Sequence, residues 1–316
     1  MNAPAIGAVV IGRNEGERLT RCLRSLQGQV QQLIYVDSGS TDGSAEAARG
    51  LGAEVVDLDL SRPFTAARAR NAGLAALSTG IELVQFVDGD CEVAPGWLAA
   101  AADFLQTHPR VAVVCGRRRE RFPEASVYNR LCDAEWDTPV GEASACGGDA
   151  LTRVAAVYTA GGYRESLIAG EEPELCLRLR RAGWQVWRLD AEMTLHDAQM
   201  TRFGQWWNRS RRAGHAFAEG AALHGAGPER HWVAETRRAL AWGAVLPAAI
   251  AAAGPVSPAL LLAALIYPAQ VLRLSRRMGY EQALFSVLGK FAEASGALEY
   301  CWRRWRGTAR GILEYK

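Results

Sequence analysis

Three groups of residues in this 316-residue sequence have types and spacings suited to chemistry. Asp88-Gly89-Asp90 sets two carboxylates one residue apart, directly after the apolar run 83–87. Paired loop carboxylates are hard oxygen ligands for Mg²⁺ or Mn²⁺, ions that also take substrate phosphates as ligands. Most isolated D-x-D pairs are solvated loop acids, so the pair needs company. An EF-hand does not supply it. Val93 stands where the calcium loop requires Gly, and segment 37–43 has Gly39 at its second ligand position. The second group, Glu171-Glu172-Pro173-Glu174, opens a helical pattern. First-turn acids complement the helix dipole, and Glu174 reads that way. One of Glu171 and Glu172 reads as a general base, which must lie within hydrogen-bond reach of an acceptor hydroxyl. The third group, His196-Asp197, follows the strand-like stretch 184–189 by a short loop. His196 becomes a nitrogen ligand for the same metal only if the fold brings it beside Asp90.

Positioning these groups falls to an alternating chain. Residues 6–11 and 33–36 read as buried strands, and 17–27 as a helix with Leu19, Leu23 and Leu26 at helical spacing. Ser40-Thr41-Asp42-Gly43 is turn chemistry leading into an Ala-rich helix at 44–51. A strand begins at 55–56, a helix covers 65–76, a strand covers 83–87, and 95–106 is a helix with Pro95 near its first turn. Residues 111–114 form a further strand, and 144–196 is Gly-rich and then helical, with Glu171 to Arg181 ending at Gly183. Such alternation implies a parallel sheet with helices on both faces. Ligands bind such sheets at the carboxyl ends of the strands, a rim that collects Asp37, Asp88 and Asp90.

The formal net charge of +2 conceals an asymmetry. Residues 1–200 hold 20 basic and 27 acidic side chains (−7), and residues 201–316 hold 16 and 7 (+9). A hydrophobic content of 49% with 22% charged residues excludes whole-chain disorder and fibrous repeats. The seven cysteines stand singly, with no C-x-x-C, and read as free thiols of a reducing compartment rather than a disulfide frame or zinc site. The start has no basic n-region and reads as a buried strand, not a signal peptide.

Residues 239–272 form a run of 34 without charge, bounded by Arg238 and Arg273. One helix of that length would reach ~51 Å, beyond the ~30 Å hydrocarbon core. Pro247, Pro255, Pro258 and Pro268 interrupt it, leaving two arms of about 14–15 residues, short for spanning. Three readings stand: an interfacial or membrane-embedded hairpin, a buried hairpin packed on this chain or a dimer partner, and a two-span anchor. The basic, Trp-rich flanks (Trp206, Trp207, Arg209, Arg211, Arg212, Trp302, Arg303, Arg304, Trp305, Arg306, Arg310) suit an anionic leaflet better than a nucleic-acid groove.

Five segments taken in order resemble a known family: Ile11-Gly12-Arg13-Asn14-Glu15, residues Val36 to Ser44 (VDSGSTDGS), Ala69-Arg70-Asn71-Ala72-Gly73, Asp88-Gly89-Asp90, and Gly170-Glu171-Glu172-Pro173-Glu174-Leu175. Over residues 5–220 the chain is similar to the family 2 inverting glycosyltransferases of GT-A fold. The resemblance implies an α/β fold with a Rossmann-like, mostly parallel sheet flanked by helices, followed by a C-terminal helical membrane-associating region. The catalytic domain is then 1–225 and the apolar, basic region 226–316.

The resemblance also implies roles. Gly12, Arg13, Asn14 and Glu15 flank the nucleotide, Asp37 with Ser38 beside it holds uracil or ribose, and Arg70 contacts base or phosphates. Asp88 lies near ribose and metal, Asp90 ligates a divalent Mg²⁺ or Mn²⁺, and His196 matches a metal histidine. The family's usual Glu-Asp pair carries the base on its second member, here the longer Glu172, with Glu171 the other candidate. A single sugar moves from a nucleotide-sugar, a UDP-sugar on the family pattern, to a lipid-linked or cell-surface glycan acceptor. The expected location is the cytoplasmic face of the cell membrane, with oligomers allowed and no nucleic-acid partner. The Q-x-x-R-W element of processive members is absent, Gln205-Trp206-Trp207-Asn208-Arg209 being the nearest stretch. Competing functions fare worse. A dinucleotide oxidoreductase lacks its G-x-G-x-x-G, and a sugar-phosphate nucleotidylyltransferase would need a Gly-rich basic loop where Asn14-Glu15 stands. A non-catalytic GT-A-like binding module would be expected to lose Asp88, Asp90 or Glu172.

Overall fold

The computed structural model describes residues 4–307. The chain forms two compact units, Met1–Gln199 and Met200–Lys316. The division thus falls at 199/200, ahead of the expected boundary near 225.

In the first unit, nine strands among the described residues build one sheet: β1 (Ile6–Gly12), β2 (Gln32–Asp37), β3 (Glu54–Asp57), β4 (Leu83–Asp88), β5 (Cys91–Val93), β6 (Val111–Glu120), β7 (Gly141–Ala143), β8 (Ala150–Arg153) and β9 (Gln185–His196). Their order is β3-β2-β1-β4-β8-β6-β9-β5, with β7 also on β9. Val9, Val10, Ile34, Val36, Val84 and Val87 are fully buried, as a sheet covered on both faces requires. From β3 to β4 the strands are parallel. The sheet then becomes mixed, because β8 runs antiparallel to both β4 and β6. This reversal has a consequence for chemistry: the start of β8 lies at the same rim as the end of β4, with Phe86 opposite Ala150.

The helices take their places through apolar faces. Glu17–Leu26 buries Leu19, Cys22, Leu23 and Leu26. Ala66–Ala76 begins at Thr65, whose Oγ1 accepts from the Arg68 amide at 3.1 Å, a cap worth about 1 kcal/mol. Its Gly73 lies so close to β1 that a Cβ would stand 2.2 Å from Val9 Cγ1. The fit fixes where Arg70, one turn earlier, emerges at the rim.

The expected strand 184–189 is longer than its apolar run, and His196 is its last residue rather than part of a following loop. Register shifts in the β6–β9 pairing break the period-2 pattern on which the expectation rested. The short strands β5, β7 and β8 were likewise not expected from the sequence.

In the second unit, Phe203–His224 crosses Tyr280–Arg306 with backbones nearly touching. A Cβ on Gly214 would stand 1.9 Å from the Glu293 carbonyl, and one on Gly296 1.9 Å from that of Arg211. Arg211 pairs with Glu299 at 2.7 Å beside this crossing. The uncharged run folds as the end of Val233–Leu240, a wide turn Ala241–Val245, Leu246–Ala253, a break at 254–257, a tight helix Pro258–Leu265 and the start of Ile266–Met278. Val245, Leu260, Leu261, Leu262, Leu265 and Leu272 are exposed, so the run is not a hairpin buried within its own unit. Pro258–Met278 is 21 residues long, and its most apolar stretch has mean hydropathy 1.4, enough in length and composition to cross a membrane. Arg310 lies outside the described residues.

Candidate active site

The loops leaving β1 and β2 are stitched together. The Asn14 amide donates to Ser40 Oγ at 2.9 Å, and Asn14 Oδ1 accepts from the Thr41 amide at 2.8 Å. Asn14 holds φ 54°, a left-handed conformation that Asn tolerates better than most residues. The Ser38 amide donates to the Gly12 carbonyl, and the Gly16 amide to Ser44 Oγ. Glu15 pairs with Arg18 at 2.6 Å, and Arg13 is exposed on the same loop. Asp37 is buried at the end of β2. Its Oδ2 accepts from the Gly39 and Ser40 amides at 2.9 and 2.8 Å, and its Oδ1 accepts from the Tyr35 hydroxyl at 2.9 Å. Burial pushes the Tyr35 hydroxyl far above its ordinary pKa, so it stays a donor.

Beside this loop pair, two arginines organise three carboxylates. Arg70 Nη2 donates to Asp88 Oδ1 at 2.8 Å and Nη1 to Glu171 Oε1 at 2.6 Å. Arg118, from β6, binds Asp149 through Nε at 3.0 Å and Nη2 at 2.7 Å, and its Nη2 lies 3.6 Å from Asp88. Asp149 is fully buried and also accepts from the Asp88 amide and the Thr194 hydroxyl. Burial works against the Arg70 charge, but Asp88 and Glu171 outweigh it and hold the guanidinium cationic. Burial raises the Asp88 carboxyl, opposed by Arg70 and furthered by Asp149.

Asp90 and His196 meet across the antiparallel β5–β9 pair, where Cys91 is opposite His196. Asp90 Oδ2 lies 3.3 Å from His196 Nε2, and Nδ1 of the same ring faces Glu120 Oε2 at 3.5 Å. Glu120, buried at the end of β6, is fixed by the Phe122 and Ala198 amides and the Asn129 side chain. Trp136 packs edge-on against the imidazole with centroids 4.7 Å apart. Burial disfavours the imidazolium, yet Asp90 and Glu120 outweigh it and raise the His196 pKa.

Glu172 is held differently. Its Oε1 accepts from the Cys146 amide at 2.7 Å and from the Cys146 and Cys176 thiols, each at 2.9 Å, while Oε2 accepts from the Gly147 amide at 3.0 Å. All of these donors are neutral. Burial raises the Glu172 pKa, with the four donors opposing it. Glu174 instead forms a structural pair with Arg178 and Arg164.

Residues 8–144 match the model of glycosyl transferase family 2. The chain is similar to that family over this stretch. It is 30% identical over 186 residues to the succinoglycan biosynthesis protein ExoA of Rhizobium meliloti, covering 55% of each. It is 29% identical over 232 residues to a pre-mycofactocin glycosyltransferase of Mycobacterium tuberculosis, covering 69% of this chain and 48% of that protein. The chain therefore spans about half the length of these curated relatives. In fold it is similar to the mannosyltransferase PcManGT of Pyrobaculum calidifontis, solved with GDP-Man and Mn²⁺, with a TM-score of 0.68 at 22% identity over 94% of this chain and 88% of that one.

The family match takes in Asp37, Arg70, Asp88, Asp90 and Glu120 and stops short of Asp149, Glu171, Glu172 and His196. The structure brings these together on one rim: Arg70, Asp88 and Glu171 share one hydrogen-bonded chain, and Asp90 meets His196. Sequence reasoning missed Arg118, Glu120, Cys146 and Cys176, and gave Asp149 no role in holding the rim. The one available signal for Asp149 was a carboxylate directly after Gly147-Gly148.

Proposed function

We propose that the chain moves one sugar from a nucleotide-sugar to a hydroxyl acceptor, with inversion at the anomeric carbon. The observation that carries this reading is the 3.3 Å approach of Asp90 Oδ2 to His196 Nε2 beside Asp88. The donor set suits a divalent cation. Carboxylate oxygen and imidazole nitrogen converge, with the Cys91 thiol within 4.8 Å, and the far ring nitrogen faces the carboxylate that orients a ligand histidine. A mixed O/N set favours Mn²⁺ over Mg²⁺, and PcManGT was solved with Mn²⁺ and GDP-Man. Held by Asp90 and His196, such an ion supplies charge neutralisation to the departing diphosphate, worth several kcal/mol.

The chain's own groups do the rest. Gly12, Arg13, Asn14, Glu15, Asp37 and Ser38 form the loop pair that receives the nucleoside. Arg70 and Arg118 orient Asp88 and offset the charge of the rim carboxylates. Glu172 takes the acceptor's proton. Glu171 is unsuited to that step because it is the counter-ion of Arg70. Glu172 has only neutral donors and a raised pKa, which bring a carboxylate closer to the basicity a hydroxyl needs. The exposed apolar helices at 245–272 and the basic flanks support docking on an anionic cytoplasmic leaflet, which favours a lipid-linked acceptor.

The test is a thermal-shift panel of UDP, GDP and their sugars with and without Mn²⁺. Metal-dependent stabilisation by at least one of them is expected, and stabilisation by none would sink the donor assignment.

A further inference from the structure

Apart from the rim carboxylates, a second convergence of ligand atoms lies around Glu172. Cys146, Glu172 and Cys176 each offer one atom, and the three lie within 4.8 Å of one another. The two sulfurs are 3.8 Å apart. Two thiolates bound to one tetrahedral Zn²⁺, at bonds of about 2.3 Å, are also about 3.8 Å apart. Both thiols now donate to Glu172 Oε1 at 2.9 Å. On a shared tetrahedral ion a sulfur and a carboxylate oxygen stand about 3.5 Å apart, so the oxygen needs to retreat by about 0.6 Å. Cys146 is half-buried, which leaves an approach to the cluster, whereas Glu172 and Cys176 are buried. A third thiol, Cys115, is near enough for the Glu172 and Cys176 charges to add to the burial that pushes it up to about 12. Soft sulfur donors exclude Mg²⁺ and Mn²⁺ and select a thiophilic cation.

We infer that Cys146, Cys176 and Glu172 form a second metal site, for Zn²⁺ or a cation of like softness, and that filling it withdraws Glu172 from sugar transfer. The inhibitory half rests on Glu172 being the base, and the site itself does not. Binding converts two thiols to thiolates and releases their two protons to solvent, with no change of oxidation state.

Co²⁺ is the probe, because cobalt–thiolate bonds give an intense near-ultraviolet charge-transfer absorption. The reduced full-length protein, preloaded with Mn²⁺, is titrated with Co²⁺ and then with Zn²⁺. The expected result is a saturable band that Zn²⁺ displaces. Cys146→Ser and Cys176→Ser should each weaken Co²⁺ binding at least tenfold. Cys91→Ser and Asp90→Ala, which alter the rim cluster, should leave the band in place. No band, a band surviving both Cys146→Ser and Cys176→Ser, or one lost in both rim variants would overturn the site. Because Cys146 is half-buried, its variant keeps the test decisive even if Cys176→Ser fails to fold. In a transfer assay, Zn²⁺ should suppress turnover at least tenfold, a chelator should restore it, and Cys146→Ser should resist. A Co²⁺ band without inhibition would overturn the inhibitory half alone. If no donor supports transfer, the proposed function is at fault and the Co²⁺ band still decides the site.

Discussion

Arg70 Nη1 donates a 2.6 Å hydrogen bond to Glu171 Oε1 and so ties helix Ala66–Ala76 to the start of helix Glu171–Arg181. The bond separates two adjacent glutamates into different jobs. Glu171→Gln removes the negative partner of a buried cation that still keeps Asp88, at a cost of about 1–3 kcal/mol in stability. Glu172→Gln should instead lower kcat by about 10²–10⁴-fold with donor affinity nearly unchanged. Denaturant melts and single-turnover transfer on both variants check the division. Near-normal turnover in Glu172→Gln would contradict it.

The raised pKa of Glu172 sets the direction of its pH dependence. The folded state holds this proton more tightly than the unfolded chain. Its stabilising contribution is therefore complete below the ordinary value of about 4.3 and is lost as pH rises through the folded pKa. Catalysis runs the other way, since the base must be deprotonated. The acid limb of the kcat profile should lie above the ordinary glutamate range and vanish in Glu172→Gln.

Asp149 is the most deeply buried acid of the rim, and Arg118, Thr194 and the Asp88 amide all depend on it. Asp149→Ala leaves the Arg118 charge without its closest partner and should cost about 3–5 kcal/mol. Urea unfolding measures this directly, and a loss under 1 kcal/mol would mean that Arg118 finds another arrangement.

Leu262 and Leu265 are 66% and 62% exposed on the apolar arm. If that arm docks on lipid, Leu262→Glu with Leu265→Glu should reduce flotation with anionic vesicles severalfold while the melting curve is preserved. Equal flotation would remove the arm's assigned role.

Much of this was legible beforehand, for identifiable reasons. Asp37, Asp88 and Asp90 end or follow apolar runs of strand length, so their shared rim follows from the parallel β-α pattern alone. Glu171–Arg181 announced itself through its acidic first turn and closing Gly183. What stayed hidden depends on strand pairing. The antiparallel insertion of β8 leaves no periodic mark on four residues, yet it alone brings Asp149 behind Asp88. His196 reaches Asp90 because β9 continues through irregular register to pair with β5, and local sequence does not encode that continuation. Cys146 and Cys176 read as scattered thiols because their common partner, Glu172, is found only in three dimensions.

The most direct measurement is calorimetric titration of the nucleoside diphosphate selected by the thermal-shift panel, with and without Mn²⁺, into the unmodified protein, Asp90→Ala and His196→Ala. Asp90 and His196 as joint metal ligands predict Mn²⁺-dependent binding in the unmodified protein, abolished in Asp90→Ala and weakened at least tenfold in His196→Ala. Mn²⁺-dependent affinity unchanged in either variant would contradict the shared metal site on which the proposed chemistry depends.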